Sequence, residues 1–284
     1  MSMRASQPAE PPLASYDELR ERFGPLRGEA AGCTPAERRG AFTCDCAACA
    51  RWHAFVAGRP HADDESGCAG GAHPRYEVFT AEHVAALAAY LLERRAAYAG
   101  TRPLRVLEVG AGDGRLAYHL SCALQRLSGD ASAVHLAATD SDERGLRAAS
   151  PFASLVRVAP CDARLLEAER PDLVVACWQP FGVDWTAAFR ACASVREYVL
   201  VGEADDGICG KPWETWGCRA SCDEDGGSSS DEEAESRAAR LPAPYEADGF
   251  VRVDLPELSR WQLCRTDERW RSRGASRTVA FRRR

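Results

Sequence analysis

The apolar and polar positions of the chain follow two alternating periods from residue 76 onward. Short apolar runs, as in buried strands, are separated by stretches in which apolar residues recur every three or four positions, as on one face of a helix. This alternation predicts an α/β fold, a doubly wound and mostly parallel sheet with helices on both faces. The predicted parallel strands are Val106–Val109, Val134–Asp140, Leu155–Val158, Asp172–Cys177 and Glu197–Gly202.

Helices are expected between these strands. Thr80 is a plausible N-cap for a helix that ends near Tyr98, and its apolar face should cover the sheet. Asp184 can cap a later helix in the same way. The remaining predicted helices are 115–127, 141–149 and one that ends near Glu169.

The last part of the chain contains three further strand-like runs, Phe250–Leu255, Trp261–Arg265 and Thr278–Phe281. We expect the last two to form an antiparallel pair that closes the edge of the sheet. The arginine-rich composition after residue 260 could indicate nucleic acid, but it has no interleaved run of aromatic residues that would stack on bases. A charged edge strand explains these arginines better, so nucleic acid is not an expected partner.

Two segments lack the composition of a packed core. Residues 1–75 are predicted to form a largely flexible, cysteine-containing extension, which could be helical at Asp17–Phe23 and around residues 48–55. Residues 219–240 are rich in serine and acidic residues and are predicted to be a disordered insertion. The domain that carries the chemistry is therefore expected at 76–284.

A glycine-rich turn lies between the first predicted strand and its helix. Gly110, Gly112 and Gly114 stand at alternate positions, Glu108 precedes them, and Arg115 occupies the place of the third glycine of a dinucleotide-binding turn. The pattern E-x-G-x-G-x-G resembles the first motif of class I S-adenosylmethionine-dependent methyltransferases. This resemblance covers about residues 76–284, implies the class I methyltransferase fold and identifies a superfamily, without a specific family.

Acidic residues at the ends of the next two predicted strands extend the resemblance. Ligands of open α/β sheets bind at the carboxyl ends of the strands, where Asp140 and Asp162 are expected. By the resemblance, Asp140 accepts hydrogen bonds from the ribose, while Asp162 and the backbone of Ala163 hold the adenine. The implied cofactor is S-adenosyl-L-methionine, with its methionine end held by Glu108, Gly110, Gly112 and Gly114.

The resemblance places the methyl acceptor over the fourth and fifth predicted strands. The catalytic candidates there are Trp178, Gln179 and Glu203, with Trp213 or Trp216 nearby. Carboxylates and aromatic rings on one rim could attract a cationic substrate. No histidine lies on these two segments to act as a base for a hydroxyl group, which favours nitrogen as the methylated atom, in a small-molecule amine or a protein side chain.

Other functions stay open at this stage. The protein could methylate oxygen or sulfur of a small molecule, or it could be a non-catalytic scaffold that binds the cofactor. Gln179-Pro180-Phe181 is only an incomplete form of the Asn-Pro-Pro-aromatic motif of many amino-methylating families. A nicotinamide-dependent oxidoreductase is disfavoured by Arg115.

The cysteines raise a separate question about metal. Cys44, Cys46, Cys49 and His53 could supply four zinc ligands, but their spacing matches no common zinc finger. We therefore expect reduced, structural thiols and no metal. The net charge of −6, the lack of a long apolar run and the absence of a secretory signal are typical of a cytoplasmic or nuclear protein that does not cross a membrane.

Overall fold

A computed structural model describes residues 13–23, 47–58, 74–148, 150–219, 241–265 and 276–284. The helices of this part of the chain are α1 (Tyr16–Phe23), α2 (Ala47–Val56), α3 (Ala81–Tyr98), α4 (Arg115–Ser128), α5 (Ala163–Glu169) and α6 (Thr186–Ala191). Short helical turns lie at Ala153–Leu155, Pro212–Trp216, Pro244–Ala247 and Pro256–Ser259. The strands are β1 (Glu77–Val78), β2 (Leu104–Val109), β3 (Val134–Asp140), β4 (Val156–Val158), β5 (Leu173–Cys177), β6 (Glu197–Glu203), β7 (Phe250–Asp254), β8 (Leu263–Cys264) and β9 (Ser276–Arg283).

Seven of these strands form one sheet in the order β4-β3-β2-β5-β6-β9-β7. Strands β2 to β6 are parallel, and β9 lies antiparallel between β6 and β7. The order reverses between β2 and β5, which is where an open α/β sheet forms a crevice for a ligand. This topology is the class I methyltransferase fold that the sequence predicts.

Helices cover both faces of the sheet, each over its own hydrophobic core. On one face α3 and α4 pack against the sheet through side chains such as Leu87, Leu91 and Leu120. On the other face α5 and α6 contribute Leu166 and Phe189. Strands buried on both faces need nearly continuous apolar runs, which explains why β5 and β6 are so readily recognised in the sequence.

The antiparallel edge differs from the prediction in its partners. Strand β9 pairs with β7, with Phe250 opposite Arg283, and not with the run at 261–265. Residues Leu263 and Cys264 of that run pair instead with Val78 and Glu77 in a separate two-stranded sheet. A two-residue strand has no periodicity that could distinguish these alternatives in the sequence.

A small apolar cluster joins the amino-terminal helices to this second sheet. Leu19 and Phe23 of α1 and Trp52 of α2 are buried against Val78 and Leu263. The short helices that the sequence predicts at Asp17–Phe23 and around residues 48–55 are present as α1 and α2, and packing on a larger surface stabilises helices this short. The predicted insertion at 219–240 lies outside the described residues except for Arg219, which donates a hydrogen bond to the backbone oxygen of Leu241.

Two of the predicted helix boundaries show how local chemistry sets them. Thr80 caps α3 by accepting a hydrogen bond from the backbone nitrogen of His83. The helix predicted at 141–149 is wrong, since the described residues of that stretch form turns in which Asp142 and Gly145 have positive φ.

Within the described ranges, none of the helices has the length and apolar character needed to cross a membrane.

Candidate active site at the carboxyl ends of the strands

A cavity of about 710 Å³ opens where the sheet order reverses. Its walls come from the residues after β2, β3 and β5, from the loop after β6 and from the segment that leads into β1. The volume lies within the roughly 300–1,000 Å³ typical of small-molecule sites. Among the residues predicted to be functional, those that line it are Glu108, Gly110, Gly112, Asp140, Trp178 and Gln179.

The glycine-rich turn forms the floor of the cavity. Two of its positions require glycine, for different reasons. A side chain at Gly110 would place its Cβ 2.6 Å from Cη2 of Trp185, so glycine is required for the indole to pack there. Gly114 is the N-cap of α4, where a Cβ would come 2.6 Å from Cγ2 of Val156. Gly114 does not line the cavity, and its requirement is one of helix packing.

Asp140 lies at the end of β3 and connects two loops of the site. Its Oδ2 accepts a hydrogen bond of 2.8 Å from the backbone nitrogen of Gly112, and its Oδ1 accepts one of 2.7 Å from Asp142. Each carboxylate oxygen keeps a second lone pair for a ligand. Asp140 is thus held at the wall of the cavity by the glycine turn itself.

Glu108 is the most unusual acid of the site. Only 2% of the residue is exposed, and its Oε2 has no hydrogen-bond partner within the described part of the chain. Burial, followed by the negative charges of Asp113 and Asp140, raises the pKa of Glu108 to about 8. A cationic group bound beside Glu108 would offset this cost and favour the ionised carboxylate.

Asp162 and Ala163 lie at the start of α5. Asp162 is the N-cap of α5 and its Oδ1 accepts a hydrogen bond of 2.9 Å from the backbone nitrogen of Leu165. Neither residue lines the cavity, whereas the preceding Ala159, Pro160 and Cys161 do. The adenine contact of Asp162 and Ala163 stays a prediction.

Trp178 and Gln179 follow β5 directly and line the cavity. Trp178 has a positive φ of 57°, which is rare for a bulky residue and marks a strained turn. The amide nitrogen of Gln179 donates to the backbone oxygen of Val183 at 2.5 Å, while its Oε1 has no hydrogen-bond partner among the described residues. The turn after β5 is therefore fixed from inside by Gln179.

Glu203 and the two later tryptophans do not line the cavity, and their predicted role toward the methyl acceptor stays a prediction. Glu203 is buried at the end of β6, where its carboxylate accepts a hydrogen bond from the backbone nitrogen of Ile208. Trp216 is buried in the core and donates to the backbone oxygen of Cys209, and the guanidinium of Arg219 lies over Trp213. These side chains support the loop after β6.

The segment Pro74–Val78 is a part of the site that the sequence does not reveal. Glu77 is buried, and its carboxylate accepts hydrogen bonds of 2.8 Å from Nε1 of Trp178 and from Oγ of Ser276. The hydroxyl of neighbouring Tyr76 accepts one of 2.9 Å from Arg144, in the loop after β3. This segment, which we call the strap, therefore crosses the cavity from the turn after β5 to the loop after β3. The only hint in the sequence is the short apolar run Tyr76–Phe79.

The predicted zinc alternative falls mostly outside the described residues. Cys44 and Cys46 are not described, and of Cys49 only the backbone is, so only His53 of this group can be placed, in α2. Within the described ranges, no group of three or more histidine, cysteine, aspartate or glutamate side chains is arranged to hold a metal ion.

No family model matches the chain, and no curated protein matches it. Among solved structures, a mitomycin 7-O-methyltransferase is 12% identical over 71% of this chain with a TM-score of 0.34. A carbon methyltransferase, DszA, is 16% identical over 72% with a TM-score of 0.40. The magnesium protoporphyrin IX methyltransferase from Synechocystis PCC 6803, solved with bound SAM, is 15% identical over 71% with a TM-score of 0.36.

These alignments cover 53%, 55% and 80% of the three proteins, so the chain spans about half the length of the first two. At such identities and scores, the strand order of the chain itself is what defines its fold. The antiparallel β9 between β6 and β7, together with the reversal between β2 and β5, places the chain in the class I methyltransferase fold.

Proposed function

We propose that the protein is an S-adenosylmethionine-dependent methyltransferase. The observation that carries this proposal is the convergence of Glu108, Gly110, Gly112 and Asp140 on one cavity at the reversal of the sheet. The side chains suit the cofactor: Asp140 can accept from ribose hydroxyls, and the orphaned carboxyl of Glu108 suits a methionine ammonium. When bound, the cofactor supplies an electrophilic methyl group, which passes to a lone pair of the acceptor while the carbon–sulfur electron pair stays on sulfur.

The residues of the chain would position the reactants and exclude water. The strap and the turn after β5 cover the cavity, and Trp185 packs on the glycine turn. Because a methyl transfer needs the two reacting atoms in line, such positioning can supply much of the rate acceleration. Asp162 could still reach the adenine with its second carboxylate oxygen, since only Oδ1 is used for the helix cap.

Isothermal titration calorimetry with S-adenosylmethionine, S-adenosylhomocysteine and NAD tests the proposed cofactor. We expect the first two compounds to bind and NAD not to bind. Asp140→Ala should weaken the binding by about 1.5–3 kcal/mol, because a charge-assisted pair of hydrogen bonds is lost. The matched control is Glu257→Ala, whose carboxylate is exposed away from the cavity.

Binding of NAD alone would contradict the proposal in favour of an oxidoreductase. Tight binding of S-adenosylmethionine without transfer to any acceptor would favour the non-catalytic scaffold.

For the acceptor atom, we propose nitrogen. Neither histidine nor lysine is found among the described residues that line the cavity. Histidine is the residue that most often deprotonates a hydroxyl group, whereas a neutral amine attacks with its own lone pair and afterwards releases its proton to solvent. Mass spectrometry of the product of a labelled reaction tests this proposal. An ether, ester or thioether as the sole product would instead identify oxygen or sulfur as the acceptor.

A further inference from the structure

The wall of the cavity is divided by chemistry. The charged side chains after β2 and β3 are Asp113, Arg115, Asp140, Glu143 and Arg144. The side chains after β5 and β6 are apolar apart from Gln179, and most of them are aromatic or β-branched: Trp178, Phe181, Val183, Trp185 and Ile208. By the proposed function, the charged half faces the cofactor and the apolar half faces the acceptor.

The indole N–H of Trp178 already has a hydrogen-bond acceptor within the protein. The Nε1 of Trp178 donates to Glu77 at 2.8 Å, so the indole offers its ring and not its N–H to a ligand. The ring of Tyr76 lies 5.7 Å from that of Trp178 at an interplanar angle of 41°. Because aromatic rings pack well against other rings, this pair favours a flat, apolar ligand over a flexible, charged one.

The mouth of the cavity carries exposed apolar side chains that form a rim. Phe181 is 71% exposed, Ile208 is 40% exposed and Val183 is 39% exposed. The loops that carry them are joined by hydrogen bonds from the nitrogen of Gly182 to the oxygen of Gly210 and from the nitrogen of Gly210 to the oxygen of Gln179. Held in this position, the rim keeps apolar surface in water, which is typical of a binding site.

The acids that the sequence predicts on this rim lie elsewhere, and Glu77, which lines the cavity beside Trp178, already accepts hydrogen bonds from Trp178, Gln262 and Ser276. Glu203, Asp205 and Glu214 are absent from the lining of the cavity. Asp205 is paired with Arg252 and Arg277, at 2.5 Å and 3.1 Å. A protonated lysine or alkylamine would therefore gain no charge pairing at the rim and would lose its hydration.

We propose that the methyl acceptor is a planar aromatic amine, bound with its ring against Trp178, Tyr76 and the rim of Phe181, Val183 and Ile208. This inference rests on the proposed methyltransferase function. An aromatic amine is neutral at neutral pH, so it enters an apolar site without the cost of losing a proton. Its flat ring also matches a site whose polar indole atom is already occupied.

The test compares two amine probes on protein saturated with S-adenosylhomocysteine. We expect 1-naphthylamine to bind and cyclohexylamine to bind at least about tenfold more weakly, as measured by calorimetry. Phe181→Ser should weaken the binding of 1-naphthylamine about tenfold and leave the affinity for S-adenosylhomocysteine unchanged. The matched control is Val251→Ser, because Val251 on β7 is exposed to a similar degree as the rim but does not line the cavity.

Each failure has its own outcome. If the wild-type protein does not bind S-adenosylhomocysteine, the proposed function is overturned and this inference with it. If it binds but cyclohexylamine competes equally well, or Phe181→Ser has no effect, only the aromatic acceptor is overturned. Methyl transfer to lysine peptides in preference to aromatic amines would also overturn it and would identify the rim as a protein-docking surface.

Discussion

Two buried glutamates at opposite ends of the sheet differ in the hydrogen-bond partners of their carboxylates. Glu197, at the amino end of β6, is fully buried and accepts hydrogen bonds from Tyr90 and Tyr98, with Nε of Arg282 at 3.5 Å. Glu108, at the carboxyl end of β2, is nearly as buried, yet its Oε2 has no hydrogen-bond partner among the described residues. The satisfied carboxylate stabilises the fold, whereas the orphaned one is a cost that protonation lowers and that a cationic ligand can offset.

The tyrosines around Glu197 respond to the same environment. Burial first, and then the neighbouring carboxylate, raises the pKa of Tyr98 to about 12 and raises that of Tyr90 further. Both phenols therefore remain protonated donors across the physiological range. The amino end of the sheet also holds Asp172, which accepts two hydrogen bonds of 2.6 Å from Arg102. Groups at this end find their partners within the chain.

Glu108→Gln should give the largest effect, in the pH dependence of stability. The pKa of Glu108 rises from 4.5 to about 8 on folding, so its contribution to stability is fully present below 4.5 and is lost as the pH rises through 8. Relative to Glu108→Gln, the wild type should lose on the order of 4 kcal/mol between pH 4.5 and pH 8.5. Urea unfolding at several pH values measures this difference, and a constant gap would contradict the prediction.

Glu197→Gln should destabilise the protein at neutral pH, whereas Glu108→Gln should stabilise it. An amide can accept only part of what the carboxylate accepts and places a donor beside Arg282, so we expect a loss of about 2–3 kcal/mol. The same unfolding experiment measures it. Cofactor affinity of the folded variant should stay at the wild-type level, because Glu197 lies at the other end of the sheet. A loss of cofactor affinity without a loss of stability would contradict the purely structural role of Glu197.

Cofactor binding should itself depend on the ionisation of Glu108. If the methionine ammonium pairs with the ionised carboxylate, the affinity of the wild type should rise roughly tenfold per pH unit below 8 and level off above it. Calorimetry between pH 6 and pH 9 measures this profile. Glu108→Gln should bind more weakly and give a flatter profile. Identical profiles would remove Glu108 from the cofactor site.

Trp178→Phe sharpens the comparison within the site. The change removes the N–H that donates to Glu77 and keeps an aromatic ring, so we expect a loss of stability of about 1 kcal/mol. The acceptor KM should rise severalfold while cofactor affinity is unchanged, because Trp178 follows β5 and the cofactor residues follow β2 and β3. Equal losses for both ligands would indicate general unfolding of the strap.

Asp162→Asn should have the smallest effect. Asparagine keeps the oxygen that caps α5, so the thermal midpoint should remain within about 2 °C of the wild type. If Asp162 also accepts from the adenine amino group, cofactor affinity should fall a few-fold, because the second oxygen becomes a donor. Calorimetry at one pH is sufficient. Unchanged cofactor affinity would show that Asp162 caps α5 and does not contact the adenine.

The local pattern predicted the central sheet well. The cap at Thr80, the start of α4 at Arg115 and the end of β3 at Asp140 were all read from periodicity and capping chemistry, and the structure has them at these residues. Long, strongly periodic elements carry enough local information for this. The turn at 141–148 was missed because the positive φ of Asp142 and Gly145 leaves no signal in the hydrophobic period. The pairing of β8 was missed because its partner β1 lies far away in the chain.

The sequence by itself determined the order of strands and helices, the glycine turn and the acids at the strand ends, because spacing and hydrophobic period fix them within one element and its neighbours. Only the tertiary structure decided which side chains share a cavity. It brought in Tyr76 and Glu77 from the strap, removed Glu203 and Trp216 to the interior, and left Glu108 buried without a partner for its Oε2 among the described residues. Burial and long-range contacts set these outcomes. In similar local sequences, one carboxylate can cap a helix, another can form an ion pair and a third can be left available for a ligand.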